Sequence, residues 1–322
     1  MALKKIIIFV FLFLFAVPVL AEKNNLNSYF IALREQTVWP VKDTDFDDII
    51  SAFGPRGFNG TTYDFHRGLD IGAAEGTRVK AITDGVLYDV VTWSGAGNTV
   101  ILQHTFNTPT YYHGKELTYY YTLYMHLSSA KYTEDDVGKT IKAGKVIGYV
   151  GQTGNATTPH LHLQLMVGTW YDLETQLAYP NSRYSGFGFD PAVNSMLFFP
   201  PEKKNFSLDY NDQENQVTAT FPDDQPLFNK VKLVIKNSTT KEIVKQHVLN
   251  YNYRTGFDAT SEDALDTPDM SKLYIDPGSY CVDYIYTSIV IPEGYISKYS
   301  GSGYVRTLYV YDIWGRSEKI KI

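Results

Sequence analysis

Runs rich in Val, Ile, Tyr and Thr recur along this chain between clusters of Gly, Asn and Asp: "TRVKAITDGVLYDVV", "NTVILQH", "YYYTLYMHL", "GKVIGYVG" and "HLHLQLMV". β-Branched and aromatic residues suit a pleated, half-buried surface, and turn residues at such short intervals leave little room for helices. The spacing therefore predicts an all-β, antiparallel architecture, with helix signals confined to short pieces such as "DFDDIISAF".

Residues 1–21 read as a targeting leader: Lys4 and Lys5, an apolar run from Ile6 to Leu20, and Ala21 at a small-residue cleavage site. The run is shorter than the roughly 20 residues a membrane span needs, so the reading is an exported chain, periplasmic or extracellular, with no span once the leader is removed. Removing Lys4 and Lys5 takes the formal charge from −6 to −8, which leaves no basic excess for gripping nucleic acid phosphates. Cys281 is the only cysteine. An internal disulfide is impossible, and the thiol reads as a buried structural one, with an intermolecular bridge as the alternative; the chain is expected to be a monomer.

The remaining 301 residues suggest two domains. The Pro200-Pro201 pair and the charged residues after it break the strand pattern, so the boundary is placed there: 22–200 as one unit and 201–322 as the other. Beyond it "QVTATF", "KVKLVIKN", "KEIVKQHVL", "GSYCVDYIY" and "GYVRTLYVYDIWGRSEKIKI" follow at the spacing of a β-sandwich, with "DIWG" turning the last hairpin. An immunoglobulin-like accessory domain is the expectation there, resting on strand spacing alone.

Three short elements carry candidate chemistry. In "HLHLQLMV" successive side chains alternate between faces, which puts His160, His162, Gln164 and Met166 on one side and Leu161, Leu163, Leu165 and Val167 on the other. In "FHRGLD" His66 and Asp70 lie four residues apart, and the chain must bend, with Gly68 able to do so, for both to approach one ion. In "YTLYMHLS" His126 follows an aromatic strand. Each has an ordinary reading by itself: polar residues on a strand's outer face, a turn Asp, a strand-end His. Together, in this order, they supply enough His and Asp for a metal centre with further histidines beside it. His104 reads as part of a strand.

From about Trp39 to Pro191 the chain resembles the lysostaphin and LytM family of zinc metallopeptidases. The likeness covers "ISAFGPR", "FHRGLDIGAAEGTRVKAITDGVL", "GNTVILQH", "YTLYMHLS", "VGKTIKAGKVIGYVGQTG", "PHLHLQL" and "FDP". It implies a compact antiparallel fold with a groove over Zn2+, and hydrolysis of peptide cross-links in bacterial peptidoglycan. By motif, His66, Asp70 and His162 would be the zinc ligands, and His126 and His160 the catalytic histidines. Zinc lowers the pKa of bound water to about 7, and a histidine beside it can take the proton and pass it to the leaving amine. A non-catalytic relative that binds wall fragments or activates another hydrolase is the alternative, but such relatives lose ligands or catalytic histidines. Here all five stand.

Thr158 and Gln164 depart from residues common in the family, Gly and Glu. The stretch "HTFNTPTYYHGKELTYYYTLYMH" is longer than a tight hairpin and reads as a solvated loop. The sharper alternative makes Tyr111, Tyr112 and His113 a wall of the substrate groove. Residues 22–36 could mask that groove.

Overall fold

A computed structural model describes residues 25–58, 62–112, 114–168, 192–199, 206–220, 228–250, 274–275, 288–312 and 315–322. The leader, His113, the "FDP" motif, the expected boundary at residue 200 and Cys281 fall outside these residues.

One helix, α1 (Leu26–Ala32), opens the described chain. Strands follow: β1 (Ile49–Ser51), β2 (Gly54–Phe58), β3 (Thr62–His66), β4 (Leu69–Gly72), β5 (Arg78–Lys80), β6 (Gly85–Trp93) and β7 (Gly97–Tyr112). Then come β8 (Lys115–Leu127), β9 (Ser129–Ala130), β10 (Thr140–Ile141), β11 (Val146–Tyr149), β12 (His160–Val167) and β13 (Ala192–Val193). The main sheet runs β1-β4-β12-β8-β7-β6-β10, with β13 also on β12. A second sheet runs β5-β11-β9, and β2 pairs β3. Every pairing is antiparallel. The all-β reading holds.

β12 is central, and its alternation sets its place. Leu161, Leu163, Leu165 and Val167 enter the main core, each leucine side chain contributing roughly 1.5–3 kcal/mol by leaving water. On the opposite face Met166 enters a smaller cluster with Ile101, Tyr121, Leu123 and Met125, so the histidine-bearing face is apolar at its far end.

Three expectations change. "DFDDIISAF" makes only a 3-10 turn, Phe46–Asp48, before becoming β1. Asp45 caps the turn by accepting from the Asp47 amide, and the β-branched Ile49-Ile50 pair then extends against β4. The long stretch before His126 is a hairpin of β7 and β8 rather than a solvated loop. Its end is pinned by Asn25, whose Oδ1 accepts from the Tyr111 amide at 2.7 Å and whose amide donates to the Tyr111 carbonyl at 3.1 Å. The third concerns residues 22–36: α1, within that stretch, buries Leu26, Tyr29 and Phe30 against the hairpin, and Phe30 stacks edge-on against Tyr120 and Phe198. Leu26, Tyr29, Phe30 and Leu33 of this stretch belong to the main core.

After residue 206 the strands are β14 (Ser207–Asn211), β15 (Gln216–Thr220), β16 (Phe228–Asn237), β17 (Ile243–Asn250), β18 (Tyr274–Ile275), β19 (Ser288–Val290), β20 (Tyr304–Asp312) and β21 (Ser317–Lys321). They form two four-stranded antiparallel sheets, β14-β15-β19-β18 and β17-β16-β20-β21. Val217, Ala219 and Ile289 from one sheet share a core with Val231, Leu233, Ile235, Leu308 and Val310 from the other. That is sandwich packing. Phe53 and Ala192 belong to the same core. No helix among the described residues is long and apolar enough to cross a membrane.

Candidate metal centre

Three neighbouring strands bring the predicted residues together. β4 and β12 pair with Asp70 directly opposite His162, and β12 pairs β8 with His162 opposite Met125, one residue from His126. His66 arrives at the end of β3. Gly68 lies in the bend, but its role is space: a Cβ there would collide with the His162 imidazole.

The donor atoms converge. His66 Nε2 and His162 Nδ1 are 3.1 Å apart, His66 Nε2 and Asp70 Oδ1 3.2 Å, and His162 Nδ1 and Asp70 Oδ1 2.8 Å. Outer partners fix which nitrogen of each ring is available. His66 Nδ1 lies 2.8 Å from the Ala52 carbonyl, which can only accept, and 2.9 Å from Ser51 Oγ. The proton is therefore on Nδ1, and Nε2 offers its lone pair. His162 Nε2 donates to Gln164 Oε1 at 3.2 Å, leaving Nδ1 as the donor. Two imidazole lone pairs and a carboxylate, all buried, would repel at such separations without a cation or shared proton among them. Their spacing is near the roughly 3.3 Å edge of a tetrahedron with bonds of about 2.0–2.1 Å, so the set fits Zn2+. Among the described residues this is the group of His, Cys, Asp or Glu that could hold a metal ion. Burial alone would raise the Asp70 carboxyl, but where a proton rather than a cation is shared among the three, the charge and hydrogen bonds of His66 and His162 hold it well below the usual carboxylate range.

The other two histidines flank this set. His160 Nδ1 donates to the Thr158 carbonyl at 2.8 Å, and its Nε2 lies 3.6 Å from Asp70 Oδ1. His126 Nδ1 donates to the Thr153 carbonyl at 2.8 Å, and its ring lies 4.9 Å from that of His160 and 5.8 Å from that of His162. Each presents a bare Nε2. His126 has φ of 61°, rare for a residue with a side chain. It occupies a bulge where two steps on β7, Asn98 to Val100, oppose three on β8, Tyr124 to Leu127. Bulges re-aim side chains, and the Ala96 carbonyl holds this one by accepting the His126 amide at 2.8 Å. Burial pushes the His126 pKa down to about 4, so it is neutral at neutral pH.

His104 stands apart, buried on β7, with Nδ1 donating to the Asp84 carbonyl at 2.7 Å and Nε2 2.9 Å from Thr122 Oγ1. The groove-wall idea for Tyr111 and Tyr112 does not hold. Tyr112 pairs Lys115 and is buried, and Lys115 is separated from His126 by roughly 35 Å of strand at about 3.3 Å per residue. Sequence reasoning missed Ser51, the Ala52 carbonyl and Thr153. Backbone acceptors carry no residue signature, although Ser51 lies in the quoted "ISAFGPR".

A buried His-Asp-His donor set with two imidazoles over it is the constellation of a single-metal hydrolase. Residues 64–172 match peptidase family M23, and this segment is an M23 peptidase domain. The chain is 38% identical over 106 residues to the DD-carboxypeptidase/endopeptidase Mpg of Neisseria meningitidis, covering 33% of this chain and 21% of that protein. It is 36% identical over 136 residues to lysostaphin of Staphylococcus staphylolyticus (42% and 25%), and 34% over 125 residues to the peptidoglycan DD-endopeptidase ShyC of Vibrio cholerae (38% and 25%). The chain thus spans about a quarter or less of these relatives' length.

Proposed function

We propose that this chain is an exported zinc endopeptidase that hydrolyses peptide cross-links in peptidoglycan, with residues 22–200 as the catalytic domain and 201–322 as an accessory sandwich. The observation that carries the reading is the convergence of His66 Nε2, Asp70 Oδ1 and His162 Nδ1 beneath the bare Nε2 atoms of His126 and His160. The names of the matched relatives support the substrate class.

His66, Asp70 and His162 would hold zinc, which when bound polarises a carbonyl oxygen and brings the pKa of a coordinated water to about 7. His160, its Nδ1 proton held by the Thr158 carbonyl, is the general base: Nε2 takes a proton from the attacking water. The water oxygen bonds to the carbonyl carbon, the C–N bond breaks, and the same proton passes to the leaving amine. His126, neutral and held by Thr153, accepts a hydrogen bond from the water and orients it.

Digestion of purified peptidoglycan of defined chemistry, read by mass spectrometry with a chelator control, tests this reading. His160→Ala is expected to lower turnover by about 10²–10⁴ while keeping its metal. His162→Ala is expected to lose both. Equal product release by His160→Ala and the parent, or no release by the zinc-loaded parent, would sink the mechanism.

A further inference from the structure

The outer face of the sheet β17-β16-β20-β21 plays no part in the reaction above. Facing pairs define what it carries. Val231, Leu233 and Ile235 of β16, with Leu308 and Val310 of β20, turn inward to the shared core. The alternate positions therefore turn outward. On β16 these are Lys230, Lys232, the buried Val234 and Lys236, and on β20 Val305, Thr307, Tyr309 and Tyr311. Edge strand β21 adds Lys319 opposite Tyr309 and Lys321 opposite Thr307.

One row across the sheet thus reads Val248, Lys232, Tyr309, Lys319, with strands about 4.8 Å apart, so a lysine flanks the Tyr309 ring on each side. In the next outward row Lys230 Nζ sits 4.7 Å from the centre of the Tyr311 ring. Lys319 and Lys321 are exposed, and Lys230, Lys232, Tyr309 and Tyr311 are half-buried. No described outward position of these four strands carries a carboxylate. Like charges on one sheet face repel, and a chain of formal charge −6 has acidic residues enough to interleave with them. Their segregation from carboxylates forms a cationic field with aromatic faces set in it.

We propose that this face binds an acidic polysaccharide, the lysines pairing with carboxylate or phosphate groups along the chain and Tyr309 and Tyr311 packing against sugar rings. Charge complementarity selects the anion. The rings select sugar over a bare polyanion, because a tyrosine offers a broad apolar face with a polar edge. The strands of this face carry none of the residues of the metal centre, so binding and hydrolysis can be read separately.

The test uses the full chain in chelator, so that binding is read without hydrolysis, with polygalacturonate as the probe and neutral dextran and single-stranded DNA as the other arms. Polygalacturonate is expected to bind, and more weakly as salt rises. Lys232→Gln/Lys319→Gln is expected to lower affinity by about tenfold or more, the scale on which cations act beside an anionic surface. Tyr309→Ala is expected to weaken polygalacturonate but not DNA. Circular dichroism and melting confirm that the variants are folded. The proposal is overturned by no binding to polygalacturonate, by lysine variants that bind like the parent, or by DNA binding as tightly as polygalacturonate and equally insensitive to Tyr309.

Discussion

Gln164 sits two residues beyond His162 on the same face of β12 and accepts its Nε2 proton, which makes Nδ1 the donor atom. Partners of this kind typically alter metal affinity by 10–100-fold when removed. Gln164→Ala is therefore expected to weaken zinc binding on that scale, measured by competition with a chelating indicator. Gln164→Glu, which keeps an acceptor in place, should stay closer to the parent; a Gln164→Ala protein that holds zinc like the parent would remove this role. His104 supports a different prediction. Burial pushes it down to about 4 despite its bond to the Asp84 carbonyl. A histidine lowered in the folded state binds its proton more readily when unfolded, so its contribution is intact above about pH 6.5 and is lost as pH falls towards 4. That loss is on the order of 3 kcal/mol. The melting temperature of the parent should exceed that of His104→Gln by a margin that shrinks between pH 6.5 and 4.5. A constant margin would show that His104 is not held neutral.

At the scale of elements, the β7–β8 hairpin and α1 form one unit. Leu26, Tyr29, Phe30 and Leu33 repeat at helical spacing and are all buried, so the sequence did carry a helix signal there, shadowed by its nearness to the leader. The strands through "NTVILQH", "YYYTLYMHL" and "HLHLQLMV" were legible because period-2 alternation and β-branched content are local properties. The hairpin's extent was not: Thr110 pairs Leu117 and Tyr112 pairs Lys115 beyond a register shift, and α1 stabilises that far end. Phe30→Ala is expected to cost about 3–5 kcal/mol by denaturant unfolding. Deleting 107–116 removes buried Thr110 and Tyr112, and should lower stability rather than change substrate preference. A deletion variant that melts like the parent but cuts different bonds would restore the groove-wall idea.

Across the whole molecule, Phe53 links the two strand groups. It lies in the sandwich core, while Ser51 and Ala52 just before it hold Nδ1 of His66. Phe53→Ala is expected both to destabilise the sandwich and to weaken zinc binding several-fold, read by melting and chelator competition; a change in only one readout would uncouple them. What the sequence determined by itself was the all-β class, the alternation that puts His160 and His162 on one face, and the residue types for a metal centre. These follow from local periodicity and side-chain chemistry. The tertiary structure alone decided which nitrogen of each imidazole is bare, why Gly68 must lack a side chain, and how a bulge aims His126. Those depend on backbone carbonyls, ring neighbours and register contributed by residues up to about a hundred positions away, as His162 Nδ1 beside Asp70 illustrates.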